Sequence, residues 1–213
     1  MQILKQEQII KHQLPELGYA YNSLEPFIDT KTMEIHYTKH HQAYIDKLNT
    51  ALEPYPELQK KSAPALLKNL DSIPESIKAA VRNHGGGHFN HSFFWPLLRK
   101  NTPVTGKDIE KAITKKYGSY ENFRQEFTKA SLSLFGSGWV WLTIDKGNLE
   151  IIQTNNQDTP ISSGKTPLLA IDLWEHSYYL KHQHKRASYV EDFFNVINWN
   201  KVNELYINSN GKF

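Results

Sequence analysis

A chain of 213 residues with a net charge of +3 and no cysteine is excluded from several classes at once. It can form no disulfide, thiolate metal site or cysteine nucleophile, and no run of lysine and arginine indicates a nucleic-acid-binding arm. The hydrophobic content of 39% is ordinary for a globular protein, and no segment approaches the 18 apolar residues of a membrane span.

The first half of the chain predicts two long helices. Residues 1–12 form a polar tail without the apolar core of a signal peptide, which gives a cytoplasmic location by default. Export of a form whose signal has been removed stays open. Asp29 or Thr30 can cap a first helix that runs to about Leu52, where prolines end it. Pro74 begins a second helix that we expect to end near residue 98.

Both predicted helices carry histidines on one face. In the first, His36, His40 and Tyr44 recur every four residues and share a narrow face. In the second, the buried seam is predicted to read Ile77, Val81, His84, His88, His91, Trp95 and Leu98. Three glycines at 85–87 interrupt that helix at about 1 kcal/mol each relative to alanine. They indicate that another group approaches the backbone closely.

The second half of the chain predicts an α+β domain. Residues 100–106 are the best boundary, which divides the chain into domains 1–100 and 101–213. The predicted elements are helices at 108–117, 119–134 and 189–197, a β-hairpin at 139–144 and 149–152, and a third strand at 167–171. The predicted fold is an antiparallel two-helix arm domain followed by a small three-stranded antiparallel sheet flanked by helices.

Asp172 and His176 follow the third strand and are metal-ligand residue types four positions apart. A lone buried histidine is more often structural, but burying this many imidazoles without purpose is costly. Histidines with one carboxylate and no thiolate suit manganese, iron or zinc. Spacing alone leaves open which helix histidines bind, whether His36 or His40 in the first helix, and His84, His88 or His91 in the second.

Five motifs, taken in order, resemble the iron/manganese superoxide dismutase family from about Leu14 to Val202. They are MEIHYTKHHQAY at 33–44, GGGHFNHSFFW at 85–95, FGSGWVW at 135–141, NQD at 156–158 and DLWEHSYYL at 172–180. The last is similar to the family's metal motif, D-x-W-E-H-x-Y-Y. Five motifs in the family order are far more specific than any one of them.

The resemblance implies a role for each candidate residue. The metal ligands would be His36, His91, Asp172 and His176. Tyr44 and His40 would line the entry channel, and Gln157 would bind the metal's solvent molecule. Trp139, Trp141 and Trp174 would form an apolar wall. Lys39 and Arg186 either steer the anion or are ordinary surface charges. The implied reaction converts two superoxide ions and two protons to dioxygen and hydrogen peroxide, with the metal cycling between +3 and +2.

The resemblance also speaks to the metal. In the family's manganese branch the glutamine comes from the C-terminal domain and faces a glycine on the second helix, whereas in the iron branch that helix usually supplies the glutamine. This chain has Gly87 and Gln157, which favours manganese, with an iron-using or metal-tolerant enzyme as the alternative. We expect the missing side chain at Gly87 to give the Gln157 amide room.

Family members are dimers, which implies a homodimer here, while a tetramer stays open. Glu175 would then reach His176 of a second copy, and Tyr179 would reach its His40. Two rival functions are weaker. A zinc hydrolase would need a general base, and the chain has no H-E-x-x-H helix. A helical interaction module would place apolar residues where the seam has histidines.

Overall fold

The computed structural model describes residues 11–210. The helices are α1 (Thr30–Ile35), α2 (Gln42–Leu52), α3 (Pro56–Gln59), α4 (Ala63–Lys68), α5 (Glu75–Ala80), α6 (Gly86–Phe94), α7 (Asp108–Tyr117), α8 (Tyr120–Ser133), α9 (Tyr179–His182), α10 (Arg186–Phe193) and α11 (Trp199–Asn210). The strands are β1 (Gly138–Asp145), β2 (Asn148–Asn155) and β3 (Thr166–Asp172). The N-terminal part is a helical hairpin, and the C-terminal part is a three-stranded antiparallel sheet with helices, as predicted.

The first arm of the hairpin is one helix with a π-helical segment, His36–His41, between α1 and α2. Asp29 caps it, because the carboxylate accepts a hydrogen bond from the Thr32 amide at 2.9 Å. The π segment inserts an extra residue into the turn, and such insertions often mark functional sites. The fully buried stripe therefore continues from His36 to His41 and Ile45.

The second arm has the same construction. A π-helical segment, Val81–Gly85, joins α5 to α6. The prediction that another group approaches the glycine run is confirmed at two of its three positions. A Cβ atom at Gly86 would lie 2.1 Å from the Gln157 carbonyl oxygen, and one at Gly87 would lie 2.5 Å from the Tyr44 ring. A Cβ atom at Gly85 would make only ordinary contacts at 3.6 Å.

The sheet has the strand order β2-β1-β3, and both pairings are antiparallel. This arrangement brings the start of β1 and the ends of β2 and β3 to one end of the sheet. There Trp139 pairs with both Thr154 and Asp172. The turn after β2 is held to the same end of the sheet, because the Asn156 amide donates to the Ser137 carbonyl at 2.9 Å.

The main hydrophobic core spans both halves of the molecule. It joins Met33 and Phe94 of the hairpin to Trp139 of β1 and Phe193 of α10. A smaller core, centred on Leu48, lies inside the hairpin alone. The end of the sheet that carries Asp172 is therefore packed directly against the two hairpin arms.

Most predicted elements are found, and two predictions need correction. The final helix is not at 189–197, because α10 ends at Phe193 and α11 follows as a separate twelve-residue helix. The polar tail lies mostly outside the described residues, but His12 is buried and its backbone exchanges hydrogen bonds with the Asn49 side chain. The division into domains 1–100 and 101–213 stays a prediction. Within residues 11–210 no helix combines the length and apolarity that a membrane span requires.

Candidate metal centre

Four side chains from the two arms and from the end of the sheet converge on one point. His36 lies in the first π segment, His91 in α6, Asp172 at the end of β3 and His176 in the short 3₁₀ turn that follows. The Asp172 Oδ2 atom lies 3.1 Å from His36 Nε2, 3.3 Å from His176 Nε2 and 3.5 Å from His91 Nε2. All four candidate ligand atoms lie within 4.8 Å of one another.

These four atoms are buried and have no hydrogen-bond partner among the described residues. Buried polar atoms are almost always paired, so four unpaired ones aimed at each other call for a shared partner. Ligand atoms about 2.0–2.2 Å from one ion lie roughly 3–4 Å apart, which matches the spacing here. Three imidazoles and one carboxylate are donors that suit a first-row divalent or trivalent metal. The residues therefore fit a mononuclear metal.

Neighbouring backbone groups fix which atoms of His91 and Asp172 face the metal position. His91 Nδ1 lies 2.6 Å from the Gly87 carbonyl oxygen, which can only accept, so the proton is on Nδ1 and the Nε2 lone pair is free. Asp172 Oδ1 accepts from the Trp174 amide at 2.9 Å, which leaves Oδ2 for the metal. The backbone thus orients both ligands before any metal binds.

Burial also sets the protonation of the cluster. Burial and then the nearby His176 lower the pKa of His36 to about 4, and burial with His36 lowers the pKa of His91 well below its usual value. Burial alone would raise the pKa of Asp172, but His176 and His36 lower it below its usual range. His36 and His91 are therefore neutral and Asp172 is ionised at neutral pH, which is the state that binds metal.

Gln157 and Tyr44 form a polar network beside the cluster. Gln157 Oε1 accepts from Trp139 Nε1 and from Asn90 Nδ2, each at 3.1 Å. Its Nε2 donates to Tyr44 Oη at 3.0 Å. Because the indole N–H can only donate, the amide orientation is fixed. The hydroxyl hydrogen of Tyr44 is then free to point elsewhere.

The glycine interpretation needs a correction in detail. Gly87 makes room for the ring of Tyr44, and not for the Gln157 amide. The close neighbour of Gln157 is Gly86, which contacts its backbone carbonyl. Since the two side chains are hydrogen-bonded to each other, the two glycines together seat one Gln157–Tyr44 pair.

The other predicted residues pack around the ligand histidines in two layers. The His40 ring stacks on His176 with centroids 4.2 Å apart, and Trp174 stacks on the same ring at 5.6 Å. Trp139 meets His91 edge-on at 5.2 Å. Trp141 is one layer further away, because it stacks on Trp139.

The two candidate steering residues differ in their surroundings. The Arg186 guanidinium donates to the carbonyl oxygens of Leu134 and Gly136 at 2.7 and 2.8 Å, and its Nε donates to Tyr178 Oη at 3.2 Å. These bonds favour a structural role for Arg186. Lys39 is exposed on the first arm.

Sequence reasoning missed two buried polar residues here, Asn90 and His41. Asn90 supports the Gln157 amide, while His41 and Trp95 are hydrogen-bonded to each other at 3.0 Å and pack on the ligand histidines. The pair His40-His41 signals that one histidine could face inward, but a period of 3.6 residues selects His40. The π segment is what turns His41 inward.

Comparison with known families agrees with this geometry. Residues 11–99 match the alpha-hairpin domain of the iron/manganese superoxide dismutases, and residues 105–205 match the C-terminal domain of the same family. The chain belongs to the iron/manganese superoxide dismutases.

Two relatives are similar over nearly the whole chain. A manganese superoxide dismutase of Listeria monocytogenes is 52% identical over 197 residues, which cover 92% of this chain and 97% of the relative. A manganese superoxide dismutase of Listeria innocua is 50% identical with the same coverage.

Proposed function

We propose that this chain is a superoxide dismutase that uses manganese held by His36, His91, Asp172 and His176. The observation that carries the proposal is the set of four buried, unpaired ligand atoms within 4.8 Å of one another. Membership of the family and the manganese relatives support the same activity. The bound metal would cycle between +3 and +2, oxidising one superoxide to dioxygen and reducing the next to hydrogen peroxide.

The charges of the residues suit an anionic substrate. Two buried imidazoles are neutral and one carboxylate is ionised, so the ligands cancel only part of the charge of a +2 or +3 ion. The rings of His40 and Trp174 both stack on the ring of His176. This packing leaves access for small molecules only. A small anion is therefore attracted and larger reductants are kept away.

Tyr44 would supply one of the two protons that the second half-reaction consumes. Burial, followed by the negative charge of Asp172, raises the pKa of Tyr44 to about 12, so the hydroxyl is protonated at neutral pH. Its oxygen accepts from Gln157 Nε2, which leaves its hydrogen available for a partner in the channel. Gln157 keeps this direction because its own oxygen is bound by two fixed donors.

The choice of manganese over iron rests on the groups beside the ligands, because both metals accept this ligand set. The Gln157–Tyr44 pair and its support set the hydrogen bonds that any metal-bound solvent would meet. Gly86 and Gly87 leave the space for this pair on the second arm, although Gly87 faces the Tyr44 ring and not the Gln157 amide as the manganese interpretation expected. An iron-using or metal-tolerant enzyme is the alternative.

The test is to prepare manganese-only and iron-only forms of the protein and to compare superoxide consumption per bound metal. We expect high activity with manganese and low activity with iron. Equal activity would support the metal-tolerant alternative, and activity with iron alone would contradict the manganese assignment. A form loaded with zinc should consume no superoxide, because zinc has no redox chemistry.

We further propose that the chain forms a homodimer through Glu175, His176, Tyr179 and His40. Glu175 and Tyr179 are exposed beside the metal centre, although His176 between them is mostly buried. Two large apolar side chains, Phe135 at 98% exposure and Leu180 at 58%, are left uncovered in the single chain. Glu175 would bind His176 of the second copy, and Tyr179 would bind its His40.

Light scattering and elemental analysis of Glu175→Ala test the dimer. We expect a larger monomer fraction and lower metal occupancy than in the unchanged protein, because each centre would lose a contact from the other copy. Glu191→Ala, which removes an exposed carboxylate from α10, is the control and should change neither quantity. A variant at Glu175 that stays dimeric with full metal occupancy would contradict this interface.

A further inference from the structure

A second cluster of buried histidines lies beside the metal centre and has no part in the function described above. His41 is fully buried, and both of its ring nitrogens have partners. Trp95 Nε1 lies 3.0 Å from His41 Nδ1, and His88 Nδ1 lies 2.9 Å from His41 Nε2. The Ser92 hydroxyl is 3.3 to 3.4 Å from the facing nitrogens of the two histidines.

The chemistry of these groups allows one arrangement of hydrogens. An indole N–H can donate but cannot accept, so His41 Nδ1 carries a lone pair. The hydrogen of the neutral His41 ring is then on Nε2 and points at His88 Nδ1, which must accept. The hydrogen bonds therefore run in one direction, from Trp95 to His41 to His88.

Burial supports the neutral state of the cluster. Burial and then His88 lower the pKa of His41 to about 3, and burial and then His12 lower the pKa of His88 to about 4. A second proton on His41 would place an N–H against the indole N–H of Trp95. Both rings are therefore neutral at neutral pH.

The cluster contacts two of the four proposed ligands directly. The Trp95 ring meets the His36 ring edge-on, with centroids 4.8 Å apart and an interplanar angle of 77°. The His41 ring stacks on the His91 ring at 5.4 Å and 23°. His36 and His41 lie at the two ends of one π segment, and Trp95 directly follows the helix that carries His91. A hydrogen bond between Trp95 and His41 therefore ties together the two arms that supply these ligands.

We propose that His41 is a positioning residue for the metal centre: its hydrogen bond from Trp95 fixes the indole against His36, while its own ring is fixed against His91. This inference rests on the proposed function only in taking His36 and His91 as ligands. Groups that orient ligand histidines typically change metal affinity or activity by about 10- to 100-fold when they are lost. His41 would act in this way through packing, since it hydrogen-bonds to neither ligand.

Three variants separate the two hydrogen bonds of His41. His41→Gln keeps an N–H near the Nε2 position for His88 but offers Trp95 no acceptor. His41→Asn keeps an oxygen near the Nδ1 position for Trp95 but loses the donor to His88. Trp95→Phe removes the indole N–H and leaves His41 in place. The exposed His184 provides the control variant His184→Asn.

The measurements are the manganese dissociation constant, the visible absorption of the oxidised manganese form and its reduction potential. We expect His41→Gln and Trp95→Phe to weaken manganese binding by about 10- to 100-fold and to shift both the absorption and the potential. His41→Asn should lie between His41→Gln and the unchanged protein, because it keeps the acceptor for Trp95 but loses the ring that packs on His91. His184→Asn should match the unchanged protein. Partial rescue by asparagine but not by glutamine is an outcome that simple loss of packing would not give.

The proposal would be overturned if both His41→Gln and Trp95→Phe kept the affinity, absorption and potential of the unchanged protein. It would also be overturned if His41→Asn were as perturbed as His41→Gln. Circular dichroism of the metal-free variants checks folding, and Trp95→Phe decides alone if His41→Gln does not fold. None of these readouts is turnover, so a failure of superoxide dismutase activity in the unchanged protein would leave this comparison intact.

Discussion

Two clusters of histidines lie side by side in this molecule, and they differ in how their ring nitrogens are used. In the His41 cluster the facing nitrogens are hydrogen-bonded to protein groups, and the geometry allows one set of hydrogens. In the ligand cluster three Nε2 atoms and one carboxylate oxygen face each other without partners. Both clusters contain buried imidazoles. The unpaired, convergent atoms are what indicate a metal.

The largest effect should come from removing a member of the unpaired cluster. Losing a group that merely orients a ligand costs about 10- to 100-fold in affinity, so losing a ligand should cost more than about 100-fold. We expect His91→Ala to lose both manganese and superoxide consumption, as measured by elemental analysis and by a turnover assay. His84→Ala, at a partly exposed position on the same arm, is the matched control and should keep both. Retention of metal in His91→Ala would show that the unpaired atoms do not define the site.

A smaller loss is expected when the network next to the ligands is broken. Gln157→Leu leaves the Trp139 indole and the Asn90 amide without their acceptor, which should cost about 1–3 kcal/mol in the free energy of unfolding. Manganese content should be unchanged, but turnover should fall because Tyr44 loses its donor. Denaturant unfolding and a turnover assay check both parts. Gln125→Leu, at an exposed position on α8 where the side chain makes one long hydrogen bond of 3.5 Å to Glu121, should change neither, and equal effects of the two variants would refute the network.

The two glycines offer a test of similar size that separates stability from turnover. An added Cβ atom at Gly86 would meet a backbone carbonyl, which cannot move freely, so Gly86→Ala should cost about 1–3 kcal/mol in stability. An added Cβ atom at Gly87 would lie 2.5 Å from Cγ and Cδ1 of the Tyr44 ring. Gly87→Ala should therefore displace that ring and change the rate of turnover at high superoxide concentration. Gly85→Ala is the control, with room for the methyl group. Identical behaviour of all three variants would contradict this division.

The sequence predicted the elements of the fold well where periodicity and capping are local. The Asp29 cap, the three strands and the break after α6 follow from residue types and spacing. The division between α10 and α11 was not predicted, because the predicted final helix ran on to residue 197 and no eleventh helix was foreseen. That end of the molecule is set by contacts with the hairpin, such as the Leu97 carbonyl accepting from the Asn198 amide at 2.6 Å.

The candidate site was predictable as a set of motifs and not as a geometry. Spacing alone could not choose among the helix histidines, because the two π segments shift the phase of each arm. An ideal helix places His40 next to His36, whereas the observed buried stripe passes through His41. Likewise Gly87 could be identified as a position that must stay small, but only the structure shows that Tyr44 fills the space.

The pH dependence of stability should report on the buried His41 ring when no metal is present. The pKa of His41 is lowered to about 3 from an ordinary value of 6.5, by burial and then by His88 and His36. The unfolded chain therefore binds a proton that the folded chain excludes, so stability falls as the pH drops from about 6.5 towards 3. Each such histidine contributes about 1.4 kcal/mol per pH unit within its window.

Denaturant unfolding of the metal-free protein between pH 7 and pH 4 measures this slope. His41→Gln removes one such histidine, so its slope should be flatter by about 1.4 kcal/mol per pH unit. His184→Asn, at an exposed position, is the control substitution. An unchanged slope in His41→Gln would mean that the folded chain does accept the proton, and the single arrangement of hydrogens argued above would be wrong.

The smallest effect should come from Ser92→Ala, within the paired cluster itself. The hydroxyl lies 3.3 Å from His88 Nδ1 and 3.4 Å from His41 Nε2, both longer than the 2.9 Å between the two rings. The single lone pair of His88 Nδ1 already accepts from His41, so the serine can only share that bond. Its loss should cost no more than about 1 kcal/mol in the free energy of unfolding and leave the reduction potential unchanged. A shift of the potential as large as that of His41→Gln would place the serine in the relay between the two rings and would require a different direction for its hydrogen bonds.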